Sequence, residues 1–164
     1  MRVFVTGGAG FIGSNLVNGL LNDGHEVKVL DNLCTGRIEN IDPFRLHPRF
    51  EFIQATVAER EPLQSLVAWA DQVYHLAAPV GVKYIMDNPV LTVLDNVRGI
   101  DHVMAAGQAH GKRVLVASTS EVYGKATKFP FSEDDDLTIG ATKNLRWSYA
   151  CAKTLDEFLA LAYA

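Results

Sequence analysis

The chain has 164 residues, of which 48% are hydrophobic and 21% are charged, and this composition is typical of a single globular domain covering residues 1–164. The formal net charge of -4 argues against a protein that binds nucleic acid or an anionic membrane. No apolar run approaches the roughly 18 residues that a membrane span needs. Cys34 and Cys151 are too few cysteines for a disulfide framework or a four-cysteine zinc site, so a reducing, cytoplasmic location is predicted.

Short runs rich in Val, Ile, Phe and Tyr alternate with longer segments of helical periodicity. This alternation is typical of βαβ units and predicts an α/β fold with a Rossmann-like, doubly wound parallel sheet. Five strands are predicted at residues 2–6, 26–30, 50–53, 72–76 and 113–118. Helices are predicted at residues 14–23, at 62–70, from 89 to between 107 and 111, and from 147 to the last residue. Gly24 would end the first helix, and Asn88 with Pro89 would begin the third.

The segment 125–146 has neither period and contains Pro130 and Gly140, so it is predicted to be a long surface loop. An acidic run lies within it at residues 133–136. A solvated loop is favoured over a metal site there, because no histidine or turn pattern completes a ligand set. The sequence therefore predicts no metal site.

A glycine-rich turn lies between the first predicted strand and the first predicted helix. It fits the pattern G-x-G-x-x-G through Gly8, Gly10 and Gly13, and the wider G-x-x-G-x-x-G through Gly7, Gly10 and Gly13. Glycine lets the backbone approach a pyrophosphate, and the amino end of a helix supplies free N–H groups and positive potential. The turn therefore predicts a dinucleotide phosphate site.

Asp31 follows the second predicted strand, 18 positions after Gly13. This spacing is close to the roughly 20 residues expected of a carboxylate that hydrogen-bonds the 2′-hydroxyl of an adenosine ribose. A carboxylate would repel a 2′-phosphate, so NAD is favoured over NADP. The alternative is a glycine turn followed by an Asp that only caps a helix.

Tyr149 and Lys153 are four residues apart on a predicted helix, which places them on the same face with their Cβ atoms roughly 5–6 Å apart. A nearby ammonium lowers the pKa of a phenol and makes it a usable general base near neutral pH. The alternative is a half-buried Tyr beside a Lys that extends its ammonium to solvent.

The carboxyl end of the fifth predicted strand carries Ser118, Thr119, Ser120 and Glu121. Ligands of open α/β sheets bind in the crevice at this edge, so these side chains are candidates for contact with a substrate. Local hydrogen bonding within a turn is their alternative role.

Five motifs in this order resemble those of the extended short-chain dehydrogenases/reductases, the NAD-dependent epimerases and dehydratases that act on nucleotide sugars. They are the glycine turn, Asp31-Asn32, YHLAA at residues 74–78, STSEVYG at residues 118–124 and YACAK at residues 149–153. The match covers nearly the whole chain, and it implies a Rossmann fold that holds NAD.

The resemblance also implies a reaction. Tyr149 would take the proton of a sugar hydroxyl, usually at C4, while hydride passes to NAD. Thr119 would hydrogen-bond the same hydroxyl, and Lys153 would hold the nicotinamide ribose and lower the pKa of Tyr149. The resulting 4-keto sugar is activated for epimerisation, dehydration or decarboxylation before hydride returns.

The family pattern further implies which residues touch the cofactor. Thr56 and Val57 stand where many relatives carry an Asp that holds the adenine, and the Thr56 hydroxyl can still form that hydrogen bond. The implied contacts are Gly7, Gly10, Phe11, Ile12, Gly13, Asp31, Asn32, Leu33, Thr35, Gly36, Thr56, Val57, Leu76, Ala77, Ala78, Val80, Asn96, Tyr149 and Lys153.

The subclass depends on Ser120 and Glu121. Sugar 4,6-dehydratases usually carry Asp-Glu at these positions, so Ser120 disfavours simple dehydration. The string at residues 118–124, with Arg146 and Trp147, is most similar to enzymes that process UDP-glucuronate. We expect an NAD-dependent C4-epimerase of a UDP-sugar, either UDP-glucuronate or UDP-glucose, and a decarboxylase or a dehydratase is the alternative. The candidate catalytic residues are Tyr149, Lys153, Thr119, Glu121 and Ser120.

Members of the family are about twice this length, and their carboxyl-terminal part binds the nucleotide base. The resemblance therefore implies that this chain is the cofactor half and does not include the substrate half. A non-catalytic NAD-binding half-protein is the alternative from another functional class. Relatives dimerise through the helix after Asn88 and the helix around Tyr149, so a homodimer is expected.

Overall fold

The computed structural model describes the backbone of residues 1–164 and every side chain except that of residue 82. The strands are β1 (Arg2–Thr6), β2 (Glu26–Asp31), β3 (Phe50–Gln54), β4 (Gln72–His75) and β5 (Arg113–Val116). The helices are α1 (Phe11–Asn22), α2 (Arg60–Trp69), α3 (Val82–Asp87), α4 (Pro89–Ala109) and α5 (Trp147–Tyr163). Turns of 3₁₀ helix cover Ile38–Asn40, Asp42–Phe44 and Ser120–Tyr123.

The five strands of the described chain run parallel in the order β3-β2-β1-β4-β5. The chain builds outward from β1 to β3 and then crosses back to place β4 on the other side of β1. The connections leave the carboxyl ends of β1 and β4 in opposite directions, and a ligand crevice forms at such a reversal. The predicted fold class is confirmed.

The core lies on both faces of the sheet, as the alternation of side chains along β1 shows. Val5 packs on one face in the cluster that includes Val17 of α1. Phe4 packs on the other face with Val67 of α2 and Val103 of α4. All of these side chains are fully buried, so each face of the sheet has its own helical layer.

The first helix starts earlier than predicted. It begins at Phe11 rather than at residue 14, and Ser14 N–H already donates to the carbonyl of Gly10 at 3.0 Å. Phe11 and Ile12 are 84% and 70% exposed, so they lie outside the apolar stripe by which the helix was recognised. The helix therefore emerges directly from the glycine turn.

Two strands end before their predicted limits. β4 ends at His75, where it pairs with Thr6, and β5 ends at Val116. Leu76 N–H still donates to the carbonyl of Thr6 at 3.2 Å and Ala117 N–H to that of His75 at 3.1 Å, and with the residues after them they form the carboxyl edge of the sheet. Their apolar and hydroxyl side chains continued the strand pattern in the sequence, which explains the longer predictions.

α3 was not predicted, because its six residues are too few to show a period. The segment 125–146 is irregular, as predicted, and a bridge between Gly124 and Thr138 ties its start to its middle. Asn88 and Pro89 begin α4 as predicted, although the Asn88 amide donates back to the carbonyl of Tyr84 at 3.2 Å and not into α4.

α5 packs along α4 and contacts the 3₁₀ turn Ser120–Tyr123 that follows β5. The buried residues of α5 are Tyr149, Ala150, Ala152, Lys153 and Asp156. This packing carries Tyr149 and Lys153 to the carboxyl edge of the sheet. Within the described residues, no helix combines the length and the apolar character that crossing a membrane requires.

Candidate functional site

The turn between β1 and α1 is closed by backbone contacts that only glycine permits. Gly7 has φ +72°, and a Cβ there would lie 2.7 Å from the backbone nitrogen of Ala77. A Cβ at Gly13 would overlap the carbonyl oxygen of Gly7. Gly10 N–H donates to the same carbonyl at 3.1 Å. Glycine at these positions therefore brings α1 against the end of β1.

The amino end of α1 opens onto the crevice. N–H groups in the first turn of a helix have no acceptor within the helix and give that end a positive potential. Phe11, Ile12 and Gly13 of this turn line the crevice together with Gly7 and Gly10. This arrangement suits an anion such as a pyrophosphate.

Asp31, the last residue of β2, is 7% exposed and holds two loops. Its Oδ2 accepts a hydrogen bond from Ala9 N–H at 2.9 Å, and its Oδ1 accepts one from Leu33 N–H at 2.8 Å. A Cβ at Gly36 would lie 3.0 Å from both oxygens, so glycine there leaves the carboxylate uncovered. A carboxylate has about four acceptor positions, so Asp31 keeps capacity for a ligand hydroxyl.

A cleft of about 370 Å³ runs along the carboxyl edge of the sheet from the glycine turn to α5. It brings together most of the residues predicted to touch a cofactor. The predicted residues that line it are Gly7, Gly10, Phe11, Ile12, Gly13, Asp31, Asn32, Thr35, Gly36, Thr56, Val57, Leu76, Ala77, Ala78, Val80, Tyr149 and Lys153.

Five predicted site residues lie outside the lining of this cleft: Leu33, Asn96, Thr119, Ser120 and Glu121. Asn96 is 3% exposed, and its amide donates to the carbonyl of Thr92 at 2.6 Å. Thr119 uses its hydroxyl oxygen to accept Glu121 N–H at 3.3 Å at the start of the turn Ser120–Tyr123. Their roles toward a substrate or a cofactor stay predictions.

Six further residues line the cleft, of which Ser118 was predicted as a candidate for substrate contact and the others were not named as contacts. Cys34 and Pro79 belong to stretches that the family pattern indicated, and Ala117 and Ser118 directly follow β5, where a site is expected in a parallel sheet. Asp95 of α4 lines the cleft, whereas its neighbour Asn96, which was predicted as a contact, does not. The remaining one is Leu30, a core residue at the end of β2.

Tyr149 and Lys153 share one face of α5 and are 8% and 3% exposed. Burial raises the pKa of the Tyr149 phenol, and the carboxylates of Glu121 and Asp156 raise it further. This direction corrects the expectation that Lys153 lowers the pKa of Tyr149. The main reason is the burial of the phenol, and the Lys153 ammonium is in addition paired with Asp156, its Nζ lying 2.9 Å from Oδ2 of that residue.

His75, at the end of β4, is 3% exposed. Its Nδ1 lies 2.8 Å from the Thr6 hydroxyl oxygen, which also accepts Ala77 N–H at 3.1 Å. The tautomer of the imidazole decides which of Thr6 and His75 donates the hydrogen bond between them. Burial, and then the Lys153 ammonium, lower the pKa of His75 to about 3.

The geometry supports proton transfer beside an anion-binding loop. A buried phenol and a buried ammonium lie at one end of the cleft, and a helix amino end and a carboxylate lie at the other. Among the described residues, no group of three or more His, Cys, Asp or Glu is placed to hold a metal ion.

Comparison with known proteins gives a family match over nearly the entire chain. The family model described as GDP-mannose 4,6 dehydratase matches residues 4–164. A UDP-N-acetyl-alpha-D-glucosaminuronate decarboxylase of Bacillus cytotoxicus is 43% identical over 163 residues, which are 99% of this chain and 50% of that protein. UDP-glucuronic acid decarboxylase 1 of Danio rerio is 44% identical over 133 residues, which are 81% of this chain and 31% of that protein.

Solved structures share the fold. A dTDP-glucose 4,6-dehydratase from Streptomyces venezuelae, solved with NAD bound, has a TM-score of 0.88 at 31% identity and aligns with 99% of this chain and 51% of its own. A UDP-N-acetylglucosamine 4-epimerase from Methanobrevibacter ruminantium has a TM-score of 0.87 at 28% identity, over 99% of this chain and 50% of its own.

The chain spans half the length of the Bacillus relative and about a third of the Danio relative. The matched half carries the glycine turn, Asp31, Tyr149 and Lys153 in the order that the resemblance predicted, and relatives with the same fold are solved with NAD. The chain belongs to the GDP-mannose 4,6 dehydratase family, within the NAD-dependent epimerases and dehydratases of the extended short-chain dehydrogenase/reductase type.

Proposed function

We propose that this chain provides the NAD site and the general base of an enzyme that oxidises a nucleotide sugar at C4. The observation that carries the proposal is that one cleft is lined by Tyr149 and Lys153 at one end and by the glycine turn and Asp31 at the other. A dinucleotide can extend between these two ends, which would place its reactive ring near the phenol.

The residues present fit NAD. A Cβ at Gly7 or Gly13 would clash with neighbouring backbone, so only glycine allows the tight turn there. The amino end of α1, which follows this turn, faces the same cleft. Gly10 to Gly13 would hold the pyrophosphate, Asp31 an adenosine ribose hydroxyl and Lys153 the other ribose. NAD, when bound, accepts the hydride from C4 of the sugar and returns it later in the cycle.

Tyr149 would take the proton of the C4 hydroxyl, with Thr119 as a second hydrogen-bond partner of that oxygen. Because burial and two carboxylates raise the pKa of Tyr149, the phenol is protonated at neutral pH and the phenolate becomes populated only at higher pH. We therefore expect turnover to rise with pH on the alkaline side of neutrality.

A nucleotide-linked hexuronate is the substrate class that we favour, with decarboxylation as the outcome. Oxidation at C4 makes the C6 carboxylate of a uronate a β-keto carboxylate, which loses CO₂ to leave an enolate that is then protonated at C5. This outcome needs no acid to expel water, in agreement with Ser120 where dehydratases usually carry Asp. The two relatives at 43% and 44% identity are both decarboxylases of such sugars.

A C4-epimerase is the second candidate and was the first choice from the sequence. It is supported by the TM-score of 0.87 to a UDP-N-acetylglucosamine 4-epimerase, although the identity there is 28%. In an epimerase the 4-keto sugar would receive its hydride back on the opposite face with the carboxylate retained. A non-catalytic NAD-binding protein stays the alternative from another functional class.

A homodimer through α4 and α5 is also proposed. Leu91 and Leu94 of α4, and Leu155, Phe158 and Leu161 of α5, are between 39% and 76% exposed. These two helices pack on each other, so their outer apolar residues can form one surface that a second copy would cover.

The test uses the full-length gene product that contains residues 1–164, with NAD and UDP-glucuronate, followed by proton NMR of the sugar. A nucleotide-linked pentose with release of CO₂ supports decarboxylation, and a C4-inverted uronate supports epimerisation. Tyr149→Phe, which keeps the ring, should abolish either product. Binding of NAD with no product from UDP-glucuronate, UDP-N-acetylglucosaminuronate or UDP-glucose would favour the non-catalytic alternative.

A further inference from the structure

Asp156 is a buried carboxylate to which neither the family motifs nor the proposed reaction gives a task. It lies three residues after Lys153 on α5 and is 1% exposed. Its Oδ2 is 2.9 Å from Lys153 Nζ. Its Oδ1 is buried and has no hydrogen-bond partner among the described residues. Burial raises the pKa of this carboxyl, whereas Lys153 opposes the rise.

This ion pair is not expected to stabilise the folded chain. Taking two charges out of water costs free energy that their attraction repays only when the remaining donors and acceptors are satisfied, and Oδ1 of Asp156 is not. Two apolar side chains would fill the same space without that cost. A buried pair beside a cleft therefore points to a role in the site.

The surroundings define what the pair can do. An ammonium has three donors. One of these donors is directed to Asp156, which follows Lys153 on the helix, whereas Tyr149 precedes it. Two donors are therefore left for groups in the cleft. The other charged or titratable groups nearby are His75 of β4, Glu121 of the 3₁₀ turn and Glu157 of α5.

We propose that Asp156 is a positioning residue, whose carboxylate fixes the Lys153 ammonium beside Tyr149 in the orientation that binds a cofactor ribose. The identity of that ligand rests on the proposed function. The fixed ammonium and the negative charge behind it also set the electrostatic environment of the phenol.

The first test compares Asp156→Asn with the unmodified protein by calorimetric titration of NAD and by NMR titration of ¹³C-labelled tyrosine. We expect the affinity for NAD to fall about tenfold, the scale of a charged hydrogen bond. We also expect the Tyr149 phenol to titrate at lower pH, because a carboxylate that raises its pKa has gone. Asp101→Asn is the matched control, since it removes a negative charge that accepts a hydrogen bond from Tyr163 between α4 and α5 and should change neither quantity.

Asp156→Glu keeps the charge on a side chain that is longer by one methylene group. It should restore most of the NAD affinity and return the Tyr149 titration close to that of the unmodified protein. The proposal is overturned if Asp156→Asn matches the unmodified protein in both measurements, or if Asp156→Glu is as impaired as Asp156→Asn.

Neutralising one member of a buried pair can unfold a domain, so a second comparison removes both charges. Lys153→Met is compared with Lys153→Met/Asp156→Asn by ligand-detected NMR, which reaches millimolar affinities. Their affinities for NAD should agree within twofold, because Asp156 acts through Lys153. A further tenfold loss in the double variant overturns the proposal. If the unmodified chain binds no NAD, the proposed function fails, whereas the Tyr149 titration in the Asp156 variants still decides the role of Asp156.

Discussion

The Asp31 carboxylate accepts the backbone N–H of Ala9 at 2.9 Å, so that the end of β2 is tied directly to the glycine turn that follows β1. The same side chain therefore supports the shape of the phosphate loop and stands at the position expected to read the adenosine ribose. The structural and the cofactor-binding interpretations of Asp31 do not compete, because a carboxylate has about four acceptor positions and Ala9 and Leu33 occupy only two of them.

Asp31→Asn should affect stability and cofactor choice together. The amide keeps one acceptor but presents an N–H₂ group to a backbone donor, so the free energy of unfolding should fall by about 1–3 kcal/mol. Loss of the negative charge should also narrow the preference for NAD over NADP. Urea unfolding and calorimetry with both cofactors measure these effects, with the exposed Asp42→Asn as a control that should change little. Equal affinity of the unmodified protein for NADP and NAD would contradict the assignment.

Two glycines of α1 provide a matched pair. Gly13→Ala should destabilise the chain by about 1–3 kcal/mol and abolish NAD binding, because its Cβ would overlap the Gly7 carbonyl. Gly19 has no atom within 4 Å of a built Cβ, so Gly19→Ala should stabilise the helix by about 0.5–1 kcal/mol. Thermal unfolding with and without NAD measures both variants. Similar losses of thermal stability in Gly13→Ala and Gly19→Ala would mean that the turn is not tight.

His75 should limit stability in acid. Its pKa is about 3 in the folded chain against 6.5 for an ordinary histidine, so the unfolded state takes up more protons below pH 6.5 and the folded state loses stability as the pH falls toward 3. His75→Gln lacks this loss. At pH 8 the free energy of unfolding of His75→Gln should be lower than that of the unmodified protein. This difference should decrease by about 2 kcal/mol between pH 8 and pH 5.

Urea unfolding at several pH values provides that comparison, and His110→Gln, which replaces an exposed histidine, is the control. A margin for His75→Gln that does not change between pH 8 and pH 5 would mean that His75 is protonated, or exposed, in the folded chain.

The outer face of α5 should mediate self-association. Phe158 is 64% exposed, and Phe158→Glu should convert a dimer to a monomer, because a buried charge at a helix interface is costly. Leu46→Glu is the control, since Leu46 is 99% exposed and lies far along the chain from α4 and α5. Light scattering after gel filtration at one protein concentration gives the mass. An unmodified protein that elutes as a monomer, or a Leu46→Glu variant that dissociates, would argue against this interface.

The sheet and the glycine turn could be predicted from the sequence because their signals are local. Alternating apolar residues such as Phe4 and Val5 face opposite layers, and Gly7 and Gly13 occur where backbone contact demands them. The start of α1 could not be predicted, since Phe11 is exposed and outside the apolar stripe.

The electrostatics of the candidate base depended on tertiary packing. The spacing of Tyr149 and Lys153 placed them on one face, but it did not show that this face is buried or that Asp156 takes the ammonium. The pKa of Tyr149 consequently lies above its ordinary value, opposite to the expectation from the pair alone. An i,i+3 Lys-Asp pair is usually solvent-exposed, so its burial has no signature in the sequence.

Calorimetric titration of NAD into this 164-residue chain tests the central claim most directly, because both ends of the cleft must contribute. We predict a saturable isotherm with one NAD per chain, weakened about tenfold or more by Asp31→Asn at one end and by Lys153→Met at the other, the scale of a charged hydrogen bond in each case. No saturable heat at millimolar NAD, or an affinity unchanged in both variants, would contradict it.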